Sequence, residues 1–129
     1  MNGFEHIESV LDSAPVGSRI TCDPPPVGTD RDWLVLVQPE MWDYFCIGLF
    51  NLGWSLGGSS IPNEVNETPF NQRFNSYTLG EDNIIATCSP EFYQRFMAAT
   101  SIAKKFNLLD KDARIALFQA VLYGNKVAA

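Results

Sequence analysis

Histidine is nearly missing from this chain, with His6 the single one, and the three cysteines, Cys22, Cys46 and Cys88, are far apart with no Cys-x-x-Cys pair. A structural zinc site and a Ser-His-Asp triad are therefore not expected, since one needs clustered nitrogen and sulfur ligands and the other an imidazole beside its serine. Scattered, odd-numbered cysteines without a signal-peptide pattern predict a reduced, cytoplasmic chain. Positive charge is also scarce: 9 Lys and Arg stand against 15 Asp and Glu, for a net charge of -6. No basic face is available to displace counterions, so duplex DNA is not an expected partner, and a phosphate ligand would need a metal or a shaped pocket. No apolar run approaches the length of a membrane span, so no membrane partner is expected either. Internal repeats and low-complexity tracts are absent.

What is present suits one domain over 1–129, since 46% of the residues are hydrophobic. Phe4, Ile7, Val10 and Leu11 recur at helical spacing and predict a short helix that Pro15 ends. Residues 16–29 are rich in Gly, Pro and Asp, and Pro24-Pro25-Pro26 predicts a stiff, extended path. Asp32 to Val37 reads as a central strand, apolar on both faces. Pro39 can open a helix whose apolar face is Met41, Trp42, Phe45, Cys46, Leu49 and Phe50, ending near Gly53. A short strand is expected in `GWSLGGSS`, followed by an irregular loop over 58–71, within which Gly57-Gly58 could let the loop close over a ligand.

`FNSYTLGEDNIIATCS` predicts a hairpin turning at Leu79-Gly80-Glu81-Asp82. Ser89-Pro90-Glu91 predicts a helix start with a capping hydroxyl, and Phe92, Phe96, Ala99, Ala103 and Phe106 form its buried stripe. Asp110 can cap a last helix over Lys111 to Tyr123. The fold class expected is α+β, a small mixed or antiparallel sheet with helices packed on it.

The chemistry concentrates in `VGSRITCDPPPVGTDRDWLVLV`, residues 16–37. Carboxylates at i and i+2 on a strand share a face, with Cα atoms about 7 Å apart, so Asp30 and Asp32 can hold divalent ions together. Oxygen ligands of this kind suit Mg²⁺ or Mn²⁺. Gly17 lets the backbone approach a ligand closely, and Ser18 adds a hydroxyl for phosphate oxygens. Asp23, before a proline, reads as a turn residue, and Lys104 and Lys105 as a solvated helix face. Arg19, after the Gly-Ser pair, and Arg73, entering the hairpin, are the candidate phosphate-binding cations. Trp33, Trp42, Tyr44 and Trp54 are expected mostly in the core, with one available to stack on a base.

Val16-Gly17-Ser18 followed by Asp30-Arg31-Asp32 on an apolar strand resembles the signature of the DNA polymerase β-like nucleotidyltransferase superfamily. The resemblance implies a mixed sheet with helices, Mg²⁺ or Mn²⁺ on Asp30 and Asp32, and transfer of a nucleoside monophosphate from an NTP to a hydroxyl. The family has a strand before Gly-Ser and a helix after it; here Ala14-Pro15 and the triple proline occupy those places. It also has a third carboxylate on a later strand, for which `GEDNIIAT` offers Asp82; in another register the position falls to Asn83, which cannot carry the charge. The run `FYQRFMAATSIAKKFNLLDKDARIALFQAVLYGN`, with `GSRITCDPPP` and `DWLVLV`, resembles small nucleotidyltransferase-like proteins of tailed bacteriophages, which implies host cytoplasm.

Two functions of different class follow. One is a nucleotidyltransferase in which Gly17, Ser18, Arg19 and Arg73 hold the NTP and Asp30, Asp32 and Asp82 are catalytic. The other is a catalytically degenerate member of the fold that senses nucleotide or binds a host protein.

Overall fold

The computed structural model describes residues 3–57 and 74–123. Its centre is a five-stranded mixed sheet in the order β1-β2-β5-β4-β3, comprising β1 (Val10–Val16), β2 (Arg31–Val37), β3 (Ser55–Gly57), β4 (Phe74–Leu79) and β5 (Asp82–Thr87). The pairing of β2 with β5 is parallel, and the other three pairings are antiparallel. Four helices accompany the sheet: α1 (Ser18–Thr21), α2 (Trp42–Asn51), α3 (Pro90–Lys105) and α4 (Lys111–Tyr123). The α+β class expected from the sequence is the one observed.

Strand alternation sorts the core into two layers. Val35 and Val37 of β2, Ile84 and Ala86 of β5 and Tyr77 of β4 pack with Phe45 and Leu49 of α2 on one face. Leu34 of β2 and Phe74 of β4 pack with Phe92 and Phe96 of α3 and Leu122 of α4 on the other. The unbroken apolar run of β2 is thus explained, because both of its faces are covered. α2 buries Phe45 and Leu49 but leaves Tyr44, Ile47 and Phe50 outward, so Phe50 is not on the core face that the sequence pattern predicts.

The N-terminus departs from expectation. A short 3-10 turn, Phe4–His6, is followed by β1 instead of a helix over 4–11. Phe4 is buried in the core, and the residues that mimic helical spacing are divided between a turn and a strand. Pro15 is tolerated because β1 lies at the edge of the sheet formed by the described residues, with a neighbouring strand on one side only. The strand before Gly-Ser and the helix after it, which Ala14-Pro15 and the prolines were expected to replace, are therefore both present, although α1 is only 4 residues long.

Other local signals behave as expected. Ser89 Oγ accepts from the Phe92 N–H at 3.1 Å and Pro90 occupies the first turn of α3. The Asp110 carboxylate accepts from the Ala113 N–H at 3.0 Å to start α4. Gly80, at φ 60°, turns the hairpin.

The end of α3 positions the loop between the two halves of the motif. Asn107 takes a left-handed conformation, φ 49°, and the Leu108 N–H returns to the Ala103 carbonyl, closing the helix in a Schellman turn. From that position the Asn107 amide clamps the backbone of Asp23, accepting from its N–H at 2.9 Å and donating to its carbonyl at 3.0 Å. Arg114 of α4 adds donation from Nη1 to Cys22 Sγ at 3.2 Å and to the Leu108 carbonyl at 2.9 Å. The loop at 22–30 is thus tied to the α3–α4 corner. Asn107→Ala is expected to lower the unfolding free energy in urea by about 1 kcal/mol. Asn107→Gly retains the left-handed backbone, so its loss measures the amide clamp alone.

Candidate functional site

Register brings the two half-motifs together before any ligand is considered. Val16 at the end of β1 pairs with Asp32 near the start of β2, so Gly17 lies directly against the Asp32 side chain. At φ 83°, Gly17 has a backbone that other residues rarely adopt, and a Cβ there would come within 2.9 Å of Asp32 Cγ and overlap its carboxylate oxygen. Glycine is required twice over. Ser18 Oγ is 2.6 Å from Thr29 Oγ1, and Arg19 Nη2 donates to the Thr29 carbonyl at 2.7 Å. These bonds fasten α1 to the residue just before Asp30. Arg19 accordingly braces the loop, and it does not line the cleft as a phosphate-binding cation would.

Asp30 and Asp32 converge as the strand geometry predicts. Asn83 of β5 sits opposite Asp32 in the parallel ladder, and its Nδ2 donates to Asp30 Oδ2 and to Asp32 Oδ1, each at 3.1 Å. The side chain that meets both aspartates is therefore an amide. Asp82, proposed from the sequence as the completing acid, is paired instead with Arg31, whose Nε donates to Asp82 Oδ1 at 2.6 Å and Nη2 to Oδ2 at 3.3 Å. Adjacent strand residues point to opposite faces, so once Asn83 faces the aspartates Asp82 cannot. Among the described residues no group of three or more His, Cys, Asp or Glu converges.

The pair opens into a cleft of about 510 Å³ between the sheet and α4, within the usual size range for small-molecule sites. One end is polar, formed by Gly17, Ser18, Thr29, Asp30, Asp32 and Asn83. The other is formed by Ser76, Ile85, Phe96, Ile115 and Phe118, with Lys111 and Arg114 also on the α4 side. Lys111, Arg114, Ile115 and Phe118 follow at i, i+3, i+4 and i+7, one face of a helix. That stripe is visible in the sequence, but nothing there indicates that it would face Asp30 and Asp32. Phe96 and Phe118, in edge contact at 4.9 Å, provide the cleft's aromatic rings, whereas none of the tryptophans or Tyr44 lines it. Trp54 is buried in the opposite core layer, and Tyr44 is exposed. Arg73 and the Gly58 part of the glycine-rich loop fall outside the described residues.

The Asp32 carboxyl titrates above its usual range. Burial is the main cause, opposed by the Asn83 hydrogen bond and reinforced by the charge of Asp30. A carboxylate raised by burial is a point of strain in the unliganded fold that a cation would relieve. Comparison with protein-family models, with curated proteins and with solved structures returns no match.

A pH test follows from the sign of this shift. Because the folded pKa exceeds the ordinary 3.8, folded protein holds more protons between the two values, and stability falls as pH rises through that window. Asp32→Asn, which keeps an acceptor for Asn83, should therefore raise Tm by a few degrees at neutral pH and leave it unchanged below pH 3.8. A Tm that drops equally at both pH values would assign Asp32 a stabilising role instead.

Proposed function

We propose that this protein is a nucleotidyltransferase that uses Mg²⁺ or Mn²⁺ to move a nucleoside monophosphate from an NTP to a hydroxyl of a protein, nucleic acid or small molecule. The observation that carries this reading is the convergence of Asp30 and Asp32 on the Gly17-Ser18 turn, locked by the packing of Gly17 against Asp32. In the reaction the acceptor oxygen bonds to the α-phosphorus, the bond to the β-phosphate breaks, pyrophosphate leaves, and the hydroxyl proton passes to solvent. Cytoplasm, or host cytoplasm for a phage-encoded chain, is the compartment that supplies NTP.

The donor set fits a hard cation. Asp30 and Asp32 supply carboxylate oxygens, and a half-turn of the Asn83 amide exchanges its nitrogen for its oxygen. When bound, the cation neutralises phosphate charge and polarises the attacked phosphorus. The protein's own groups do the remaining work. Gly17, whose open side is filled by Asp32, brings the Ser18 turn beside the carboxylates, Ser18 offers its hydroxyl, and Lys111 brings positive charge to the cleft from α4. Lys111, together with the cation that Asp30 and Asp32 would hold, would keep the polyphosphate end in place, so the reacting phosphorus is positioned and not merely bound.

Asn83 favours a second reading, that of a nucleotide-sensing or host-protein-binding factor with no turnover, because an amide cannot accept the acceptor's proton. Tyr44, Ile47 and Phe50, exposed along α2, would then be the surface for a protein partner.

Titration with Mg²⁺ and each NTP should show metal-dependent binding that weakens in Asp30→Ala and Asp32→Ala by at least the ~100-fold that loss of even an outer-shell partner can cost. Unchanged binding in both variants would remove the proposed site. Transfer of label from an α-labelled NTP to lysate protein or RNA separates the readings: transfer supports the enzyme, and metal-dependent binding without transfer supports the sensor. Asn83→Asp is expected to tighten Mg²⁺ binding, since it places a third carboxylate beside the pair, and to lower Tm in metal-free buffer through charge repulsion.

A further inference from the structure

Ser76 is out of place in its row. On β4, Phe74 and Ser76 face the α3–α4 side of the sheet, and Ser76 is paired with Ile85, which in turn is paired with Leu34 of β2. An apolar side chain there would extend the core. Instead Ser76 is 7% exposed, its hydroxyl has no hydrogen-bond partner among the described residues, and it lines the cleft. A buried hydroxyl without a partner is costly, so its position at the floor of an open cavity points to a ligand that satisfies it. The other buried and unpartnered polar atoms among the described residues, Ser9 Oγ and Trp54 Nε1, belong to residues that do not line the cleft.

The surroundings specify the ligand's chemistry. Ile85, Phe96, Ile115 and Phe118 provide aliphatic and aromatic surface around the hydroxyl, suited to a flat heterocycle with a polar edge and unsuited to a charged phosphate. Asp32 and Asn83 form one row of the sheet, and Ser76 lies two strands across from Asp32 and two residue pairs deeper. Strand spacings place the Asp32 and Ser76 Cα atoms about 12 Å apart. A sugar and base can extend across that distance from a phosphate held at Asp30 and Asp32.

We infer that the apolar end of the cleft is a nucleobase subsite in which the Ser76 hydroxyl bonds one polar edge atom of the base, with Phe96 and Phe118 packed against the ring. This rests on reading the Asp30/Asp32 end as the triphosphate end. Ser76 is then a specificity-determining residue whose function is separate from metal binding.

The experiment compares Mg²⁺ complexes of tripolyphosphate, ribose 5-triphosphate and the four common NTPs, titrated into the full chain and into Ser76→Ala and Ser76→Cys. At least one NTP should bind about tenfold more tightly than ribose 5-triphosphate, and Ser76→Ala should erase that advantage while leaving tripolyphosphate binding unchanged. The Tm of unliganded Ser76→Ala should equal or exceed that of the parent, since an unsatisfied hydroxyl is removed. Ser76→Cys, of similar size with a weaker donor, should fall between the two. NTPs that bind no better than ribose 5-triphosphate, or an advantage that survives Ser76→Ala, overturn the base subsite while leaving the triphosphate end intact. Tripolyphosphate that fails to bind, or binds equally to Asp30→Ala, overturns the triphosphate end and this inference with it.

Discussion

The Asp32 carboxylate rests against the Cα of Gly17, and the rest of the site depends on that contact. It exists because β1 and β2 pair with Val16 opposite Asp32, and it requires both a missing side chain and a positive φ at Gly17. Any side chain at that position would push the acid away or open the pairing of the strands. The Gly-Ser turn and the aspartate strand are therefore one mechanical unit, although the loop of 22–30 separates them. Thr29 ties the unit from inside through Ser18 and Arg19, and Asn107 and Arg114 tie the loop from outside. A chain with few positive charges thus spends several of its arginines on structure: Arg19 on the loop, Arg31 on Asp82, and Arg114 on the corner between α3 and α4.

This construction sets a partly buried carboxylate, Asp32, beside an exposed one, Asp30. A single amide nitrogen bridges the two. Such an arrangement is poor for stability, a cost that the cation of the proposed function would offset. Ser76 shows the same trade on a smaller scale at the other end of the cleft, where a hydroxyl occupies a position that packing alone would give to an apolar side chain.

Elements dominated by local physics were legible in the sequence. β2 declared itself by an apolar run covered on both faces, the hairpin by Gly80, and α3 and α4 by Ser89 and Asp110 at their starts. The convergence of Asp30 and Asp32 followed from strand periodicity. The N-terminal strand was not legible, because Phe4, Ile7 and Val10 are placed by long-range contacts, and an edge position removes the usual objection to Pro15. The exchange of Asp82 for Asn83 is a question of one residue in the register between β2 and β5. That register is set by parallel pairing across about fifty residues of chain, and a shift of one moves every side chain to the other face. Lys111, Ile115 and Phe118 formed a visible helical stripe, but only the packing of α4 over the sheet turns it into a wall of the cleft.

The central claim is that Asp30 and Asp32 together hold a cation that in turn holds a nucleotide. Its most direct test is anomalous diffraction from crystals soaked with Mn²⁺ and an NTP analogue that cannot be cleaved between the α- and β-phosphates. The account predicts a manganese peak within about 2.2 Å of oxygens from both aspartates, with phosphate oxygens completing its shell and the base directed toward Ser76. A well-ordered nucleotide bound elsewhere, or one bound in this cleft without a peak between Asp30 and Asp32, would contradict it.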